Sequence, residues 1–256
     1  MVPDLDLYVA EGGEVTSPGP GRWRLLIPQG EERVYRLAQL DDYAGRRSRR
    51  AFPHRPPLRL SLRARASAPD LRGTWGFGFW NDPFGFSLTV RGSGRRLPTL
   101  PDAVWFFHAS PPNHLAFRDT HPARGFLAAA FASRPVPTAL LLLAAPLAAG
   151  LLLPAAARLL RRLARSLIEE DAAIVRIDPT LWHTYELLWL PERASFSVDE
   201  TTVFETPVSP TGPLGLVLWL DNQYASLPAS GRLSFGSLAT PEDAYLELAD
   251  VELGGA

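Results

Sequence analysis

Apolar and polar residues alternate with a period of two through most of this chain, in short segments bounded by proline and glycine. Leu58, Leu60, Leu62 and Ala64 alternate with Arg59, Ser61, Arg63 and Arg65, the pattern of a strand with one dry and one wet face. The stretch from Trp182 to Thr206 predicts a hairpin. His183, Tyr185, Leu187 and Trp189 share a face of its first strand, a Pro-Glu-Arg turn follows, and a second strand carries Val198 and Asp199 near its end. Further strands are expected from Arg22 to Ile27, Arg33 to Leu40, Ile174 to Ile177, Leu214 to Asp221 and Tyr245 to Glu252. Trp75 to Trp80 and Ala103 to Ala109 are apolar on both faces, as strands in the middle of a two-layer fold are. The 25 prolines and 20 glycines provide the turns between them. This is the pattern of an all-β sandwich or barrel.

One region breaks the alternation. No charged residue occurs between Arg134 and Arg158, and the run TALLLLAAPLAAGLLL reads like a membrane segment. It is followed by a leucine stripe (Leu159, Leu160, Leu163, Leu167) beside Arg158, Arg161, Arg162 and Arg165, an amphipathic cationic helix. A single membrane crossing would separate strands that must pair in one sandwich, and Pro137, Pro146, Gly150 and Pro154 interrupt a straight span. The expectation is one domain over residues 1–256 with a helical insertion at about residues 134–172. That insertion either packs on the sandwich, pairs two copies in a homodimer, or touches a membrane surface through residues 136–168.

Composition narrows the chemistry. With a net charge of −1, nucleic acid is not an expected partner. The chain has no cysteine, and every basic residue is arginine, which removes thiolate catalysis, Schiff bases and a P-loop lysine. The acidic start MVPDLDLYVAEGGE has no secretory signal, so the expected location is cytoplasmic, with membrane association if the insertion provides it.

Several segments, taken in order, resemble the concanavalin A-like jelly roll of laminarinase-like family 16 glycoside hydrolases. They are LSLRARASAP from Leu60, GTWGFGFW from Gly73, the Trp182 hairpin, PLGLVLWLD from Pro213 and AYLELADV from Ala244. The resemblance implies a two-sheet antiparallel jelly roll with a concave binding groove. It also implies a catalytic strand of the form Glu-x-Asp-x-x-Glu or Glu-x-Asp-x-Glu, because retaining hydrolysis needs two carboxyls about 5–5.5 Å apart. The corresponding strand here, AVWFFHAS from Ala103, contains no carboxylate, so none of the family's catalytic residues carries over.

What the resemblance leaves in the groove is aromatic and polar. Trp105 and Phe107 share a face of their strand, with Phe106 and His108 on the other; Trp219, Asp221 and Gln223 share a face of the late strand. The candidate ligand contacts are Trp80, Asn81, Trp105, Trp219, Asn222, Gln223 and Tyr224, although the alternative of a core position is favoured for Trp75, Trp105, Trp182 and Trp189. Rings stack on sugar C–H faces while amides and carboxylates bond hydroxyls; the same set suits an amphiphile with one polar end. Two readings remain open: a lectin-like protein binding a carbohydrate or amphiphilic small molecule, and an enzyme whose acid/base is Asp221, Asp82 or His108. Asp221 and His108 would pair if their strands were neighbours. The spacing of His108, His114 and His121 does not form a metal set, Asp41, Asp42, Asp199 and Asp250 form no calcium loop, and neither metal nor cofactor is expected.

Overall fold

The computed structural model describes residues 3–46, 48–83, 96–97, 99–137 and 154–255. In chain order its strands are β1 (Asp6–Ala10), β2 (Glu14–Gly19), β3 (Arg22–Ile27), β4 (Leu37–Asp41), β5 (Leu58–Ala66), β6 (Thr74–Trp80), β7 (Ala103–Ala109) and β8 (Gly125–Ser133). A helix, α1 (Pro154–Leu167), precedes β9 (Ile168–Ile174), β10 (His183–Leu190), β11 (Arg193–Val198), β12 (Thr201–Thr206), β13 (Gly215–Asp221), β14 (Gln223–Ser226), β15 (Ser234–Ser237) and β16 (Ala244–Gly254).

Two seven-stranded antiparallel sheets result, one in the order β1-β4-β13-β6-β7-β8-β9 and the other β12-β11-β10-β5-β16-β3-β2, with β14 and β15 forming a separate hairpin. Strands from both ends of the chain meet in each sheet: β13 lies between β4 and β6, and β16 lies between β3 and β5. The fold is therefore an antiparallel jelly-roll sandwich.

Period-two patterning explains the layers. On β5 the leucines and alanines point inward and the arginines outward, and on β10 Tyr185, Leu187 and Trp189 face the same core. From the first sheet Trp75, Phe77, Phe79, Val104, Phe106, Phe126, Leu216, Leu218 and Leu220 meet them. Each fully buried side chain of this size stabilises the fold by about 1.5–3 kcal/mol. His183 clamps the end of the hairpin: its Nδ1 lies 2.6 Å from Asp199 Oδ2, while Asp199 Oδ1 accepts the Thr184 N–H at 2.8 Å. Asp199 and Glu200 both adopt left-handed backbone (φ 48° and 66°), the two-residue turn that joins β11 to β12. The second strand thus ends at Val198. Trp182 is not in the core. It lies on the outer surface of the second sheet with the Arg63 and Arg65 guanidiniums 5.3 and 5.1 Å from its ring.

The region expected as a helical insertion is more mixed. Ile168–Ile174 is the edge strand β9, continuous with the helix and paired along β8, so the strand expected at Ile174 to Ile177 lies earlier in the chain. The apolar run over residues 138–153 falls outside the described residues. No helix among the described residues is long and apolar enough to cross a membrane.

Helix α1 also turns two of its four arginines the unexpected way, with Arg158 and Arg162 exposed. Arg161 is buried and donates to the Phe117 and Leu227 carbonyls at 2.8 and 2.5 Å and to Asp119 Oδ1 at 2.5 Å; Arg165 donates to the Phe117 carbonyl and Asp119 Oδ2, both at 2.6 Å. Leu159 and Leu163, by contrast, are exposed. The charged face grips the protein because the carbonyls of the β7–β8 connection need donors, and the leucine pair is left outside.

Candidate functional site

The candidate site is the outer face of the first sheet. Its seven strands contain no arginine, whereas β3, β5 and β11 of the other sheet carry six. At the centre of the face, Gly76 and Gly78 of β6 point outward and leave a trough. A Cβ at Gly76 would sit 2.8 Å from the Trp219 ring and 2.3 Å from the Phe106 carbonyl oxygen; at Gly78 it would sit 2.6 Å from Trp105 Cα. The indoles of the flanking strands lie across this glycine floor. Trp105 packs on Trp80, Phe107, Trp219 and Phe131, with ring centroids 5.8, 5.3, 5.4 and 6.4 Å away. Trp219 and Phe107 are nearly covered and Trp80 and Trp105 half-buried. Hydrogen bonds fix two of the indoles: Trp80 Nε1 donates to Tyr43 Oη at 2.7 Å and Trp219 Nε1 to Thr74 Oγ1 at 2.9 Å.

Beside the aromatic floor runs a polar wall on β1, β4 and β13. Tyr8 opposes Gln39, and Gln39 opposes Trp219. Gln39 Nε2 donates to Asp41 Oδ2 at 2.8 Å, and Asp41 Oδ1 accepts the Tyr43 and Ala44 N–H groups. At the other end Asp221 Oδ1 accepts from Thr74 Oγ1 (2.7 Å), Gln223 N (3.1 Å) and Thr74 N (3.3 Å), while Oδ2 meets Tyr35 Oη at 3.5 Å. Burial pushes the Asp221 carboxyl up to about 7 against these bonds. Burial, and then the neighbouring Asp221 charge, holds the Tyr35 phenol well above its ordinary value; burial and Asp41 raise Tyr8. Two buried polar atoms on this face have no partner among the described residues: Tyr8 Oη and Trp105 Nε1.

The β8–β9 side is covered. Leu115 packs on the floor, Phe117 meets Phe131 edge-on at 6.5 Å, and Glu170 accepts the Phe117 N–H at 2.9 Å and the Arg118 N–H. The Arg161 and Arg165 contacts of α1 hold this connection down from above.

The expected site residues separate into three groups. Trp80, Trp105, Trp219 and Asp221 come together on the outer face. Asn81, Asp82 and Asn222 are structural. The Asn81 amide bonds the Leu100 carbonyl and Asp102, and Asp82 is ion-paired to Arg96 at 2.6 Å. Asn222, fully buried, accepts the Arg36 N–H and donates to the Val34 and Leu238 carbonyls. Gln223 and Tyr224 lie on the β14–β15 hairpin, Gln223 exposed and Tyr224 beside Gly236.

His108 does not pair with Asp221: β6 separates their strands, and His108 faces the inter-sheet core, stacked on Trp75 at 5.4 Å. Burial pushes His108 down to about 4, so it is neutral when folded. The unfolded chain therefore takes up a proton first, and stability is lost as pH falls from 6.5 towards 4, by about 3 kcal/mol in all. His108→Phe, which keeps the stacking, is expected to remove that loss. Urea titrations at several pH values check it: a constant difference from the parent across this interval would contradict the assignment. His114 and His121 lie elsewhere, bridged to Ser226 and 3.6 Å from Asp171 respectively. No group of three or more metal-ligating side chains assembles among the described residues.

The sequence reading missed Tyr8, Tyr35, Gln39 and Thr74. One available signal was the alternation of glycine in Gly76-Phe77-Gly78, which leaves a strand face bare for neighbouring rings to fill.

No family model matches the chain, and no curated protein does. Among solved structures, a legume lectin-like domain from Entamoeba histolytica superposes with a TM-score of 0.51 at 7% identity, covering 98% of this chain and 90% of that one. LamAcat from Zobellia galactanivorans gives 0.48 at 12% identity over 98% and 92%. A sialidase gives 0.45 at 10% identity over 98% of this chain but 17% of its own, so the chain spans about a sixth of that protein. The architecture is the concanavalin A-like one.

Proposed function

We propose that this protein binds a neutral saccharide on the outer face of the first sheet, as a lectin-like module. The observation that carries the reading is the pair of buried, unpartnered donors, Tyr8 Oη and Trp105 Nε1, beside a floor of packed indoles. A buried N–H or O–H without a partner costs about 1–3 kcal/mol; both atoms are covered in the free protein, so a ligand hydroxyl relieves that cost once the Tyr8 and Trp105 side chains turn to meet it. The rings supply flat apolar area for sugar C–H faces, and Gln39, Tyr35 and Asp221 supply hydrogen bonds. The lack of arginine across the seven strands disfavours an anionic ligand, which would bury its charge without a counterion.

Trp105→Ala is expected to weaken binding at least about 30-fold, the loss of a central aromatic contact, and Tyr8→Phe about 5- to 10-fold. A glycan array followed by calorimetry on the hits checks this. Binding of amphiphiles but of no glycan would replace the ligand class, and binding indifferent to both substitutions would overturn the site.

Asp221 favours a second reading. A carboxyl that holds its proton near neutrality is a candidate general acid. Of the other acids on this face, Glu170 is taken by the Phe117 and Arg118 N–H groups, and Asp41, with Asp6 opposite it on β1, lies four residues along β4 from the position opposite Asp221, a backbone separation of about 13 Å. That exceeds the separations of about 5–5.5 and 6.5–9.5 Å used by two-carboxylate glycosidases. An enzyme reading therefore rests on Asp221 alone. It predicts turnover that Asp221→Asn abolishes while binding persists.

A further inference from the structure

Past the Asp221 end of β13 lies a cleft of about 550 Å³, lined by Glu32, Arg33, Pro112, Tyr224 and residues 235–238. Its walls are the segment leading into β4 and the β14–β15 hairpin. Buried Asn222 staples them together by bonding the Arg36 N–H and the Val34 and Leu238 carbonyls, at 2.7–2.8 Å. Arg33 adopts left-handed backbone (φ 71°) and donates its N–H to the Ser237 carbonyl at 3.3 Å, closing the same gap. Neither wall belongs to a large sheet, so nothing in the core requires the aromatics found there. Phe235 is 73% exposed, the most exposed large apolar side chain described, and the Tyr224 ring lies against Gly236, where a Cβ would sit 3.0 Å from it. The exposed Glu32 and Arg33 side chains give the rim both signs of charge.

We infer that this cleft is a second saccharide site, taking the continuation of the chain held on the outer face. The inference rests on the saccharide reading above. Continuity between the two regions argues for one ligand over two. Tyr224 follows Asp221 by three residues, and Tyr35, whose hydroxyl meets Asp221, follows Arg33 by two. A path along the Asp221 end of the face therefore leads into the cleft on both sides. An open, mixed-polarity cleft with an upright phenyl ring suits one or two sugar units and holds them weakly. Once the outer face holds the rest of the same chain, contact in the cleft becomes intramolecular, and a weak contact gains by effective concentration.

The test is calorimetry with neutral cello-, laminari-, xylo- and manno-oligosaccharides from dimer to hexamer, on the parent, Phe235→Ala and Trp105→Ala. Phe235 is exposed, so its removal leaves folding intact. The expected result is a parent affinity that rises with chain length, with Phe235→Ala lowering hexamer affinity about tenfold and leaving the dimer unchanged. Trp105→Ala lowers both. If Trp105→Ala weakens binding and Phe235→Ala leaves the hexamer unaffected, or weakens dimer and hexamer equally, the cleft is not a second contact. If the parent binds no member of any series, or Trp105→Ala changes nothing, the saccharide reading itself fails and the cleft inference with it.

Discussion

Asp221→Asn is expected to make the protein more stable above about pH 8, by an amount on the order of 4 kcal/mol, and to change little near pH 4. The sign follows from burial. Asp221 is almost fully enclosed, and its folded value near 7 stands well above the ordinary 3.8. Between those values the unfolded chain has released its proton and the folded protein has kept it. Stability therefore falls as pH rises through this interval and is level above it. Asparagine mimics the protonated acid. Its carbonyl can accept the three N–H and O–H donors now on Oδ1, and its amide can sit where Oδ2 faces Tyr35. Asp102, raised to about 6 by burial, tilts the parent profile the same way, and His108 tilts it the other way. The difference between variant and parent isolates Asp221 from both. Chemical denaturation across the pH range measures it, and a difference independent of pH would show that Asp221 is ionised in the folded protein.

The strands that could be read from sequence were those whose two faces differ. Alternating arginine and leucine marked β5, and the Tyr185, Leu187, Trp189 series marked β10, because each strand is dry on one side only. Ala103–Ala109 was also found, since a short run of aromatics has few other uses. By contrast β8, GFLAAAFAS, is small and apolar on both faces and shows no alternation. Strand β9 was hidden differently: it follows α1 without a turn, and its Glu169, Glu170 and Asp171 read as a helix end. The split of Trp105 and Phe107 from Phe106 and His108 followed from period two alone and holds in the structure. The polar wall could not be derived that way. Tyr8, Gln39 and Asp221 come from three distant strands, and one sequence says nothing about which strands are neighbours. Hydrogen-bonding demand also claimed residues that composition had assigned to the groove. Asn81, Asp82 and Asn222 follow strand ends, where loop carbonyls and amides need partners as much as a ligand would.

Asp82 gives the sharpest contrast between these two uses, and Arg96→Met tests it. Arg96 is 3% exposed and spends all its donors inside the protein. Nη1 donates to Asp82 Oδ2 at 2.6 Å, Nη2 to the Tyr43 and Arg46 carbonyls at 2.6 Å each, and Nε to the Arg46 carbonyl at 3.1 Å. The guanidinium also lies 5.0 Å from the Phe52 ring and 5.4 Å from that of Tyr43. It thereby ties the turn after β4 to the turn after β6, under the Tyr43 hydroxyl that positions Trp80. Methionine keeps the packing and removes every donor, leaving the buried Asp82 carboxylate without its ion-pair partner, while the Tyr43 carbonyl keeps the Arg46 N–H at 2.9 Å. The expected cost is about 3–5 kcal/mol by denaturation near neutral pH. Adding Asp82→Asn should return a large part of it, because the uncompensated charge goes too, so the two substitutions couple strongly. The double variant is then stable enough for binding to be measured. Because Asp82 touches Arg96 and not the floor, its saccharide affinity should equal the parent's within about twofold. A loss beyond that with folding recovered would return Asp82 to the ligand contacts, and a cost below about 1 kcal/mol for Arg96→Met would mean the pair is solvated and holds nothing together.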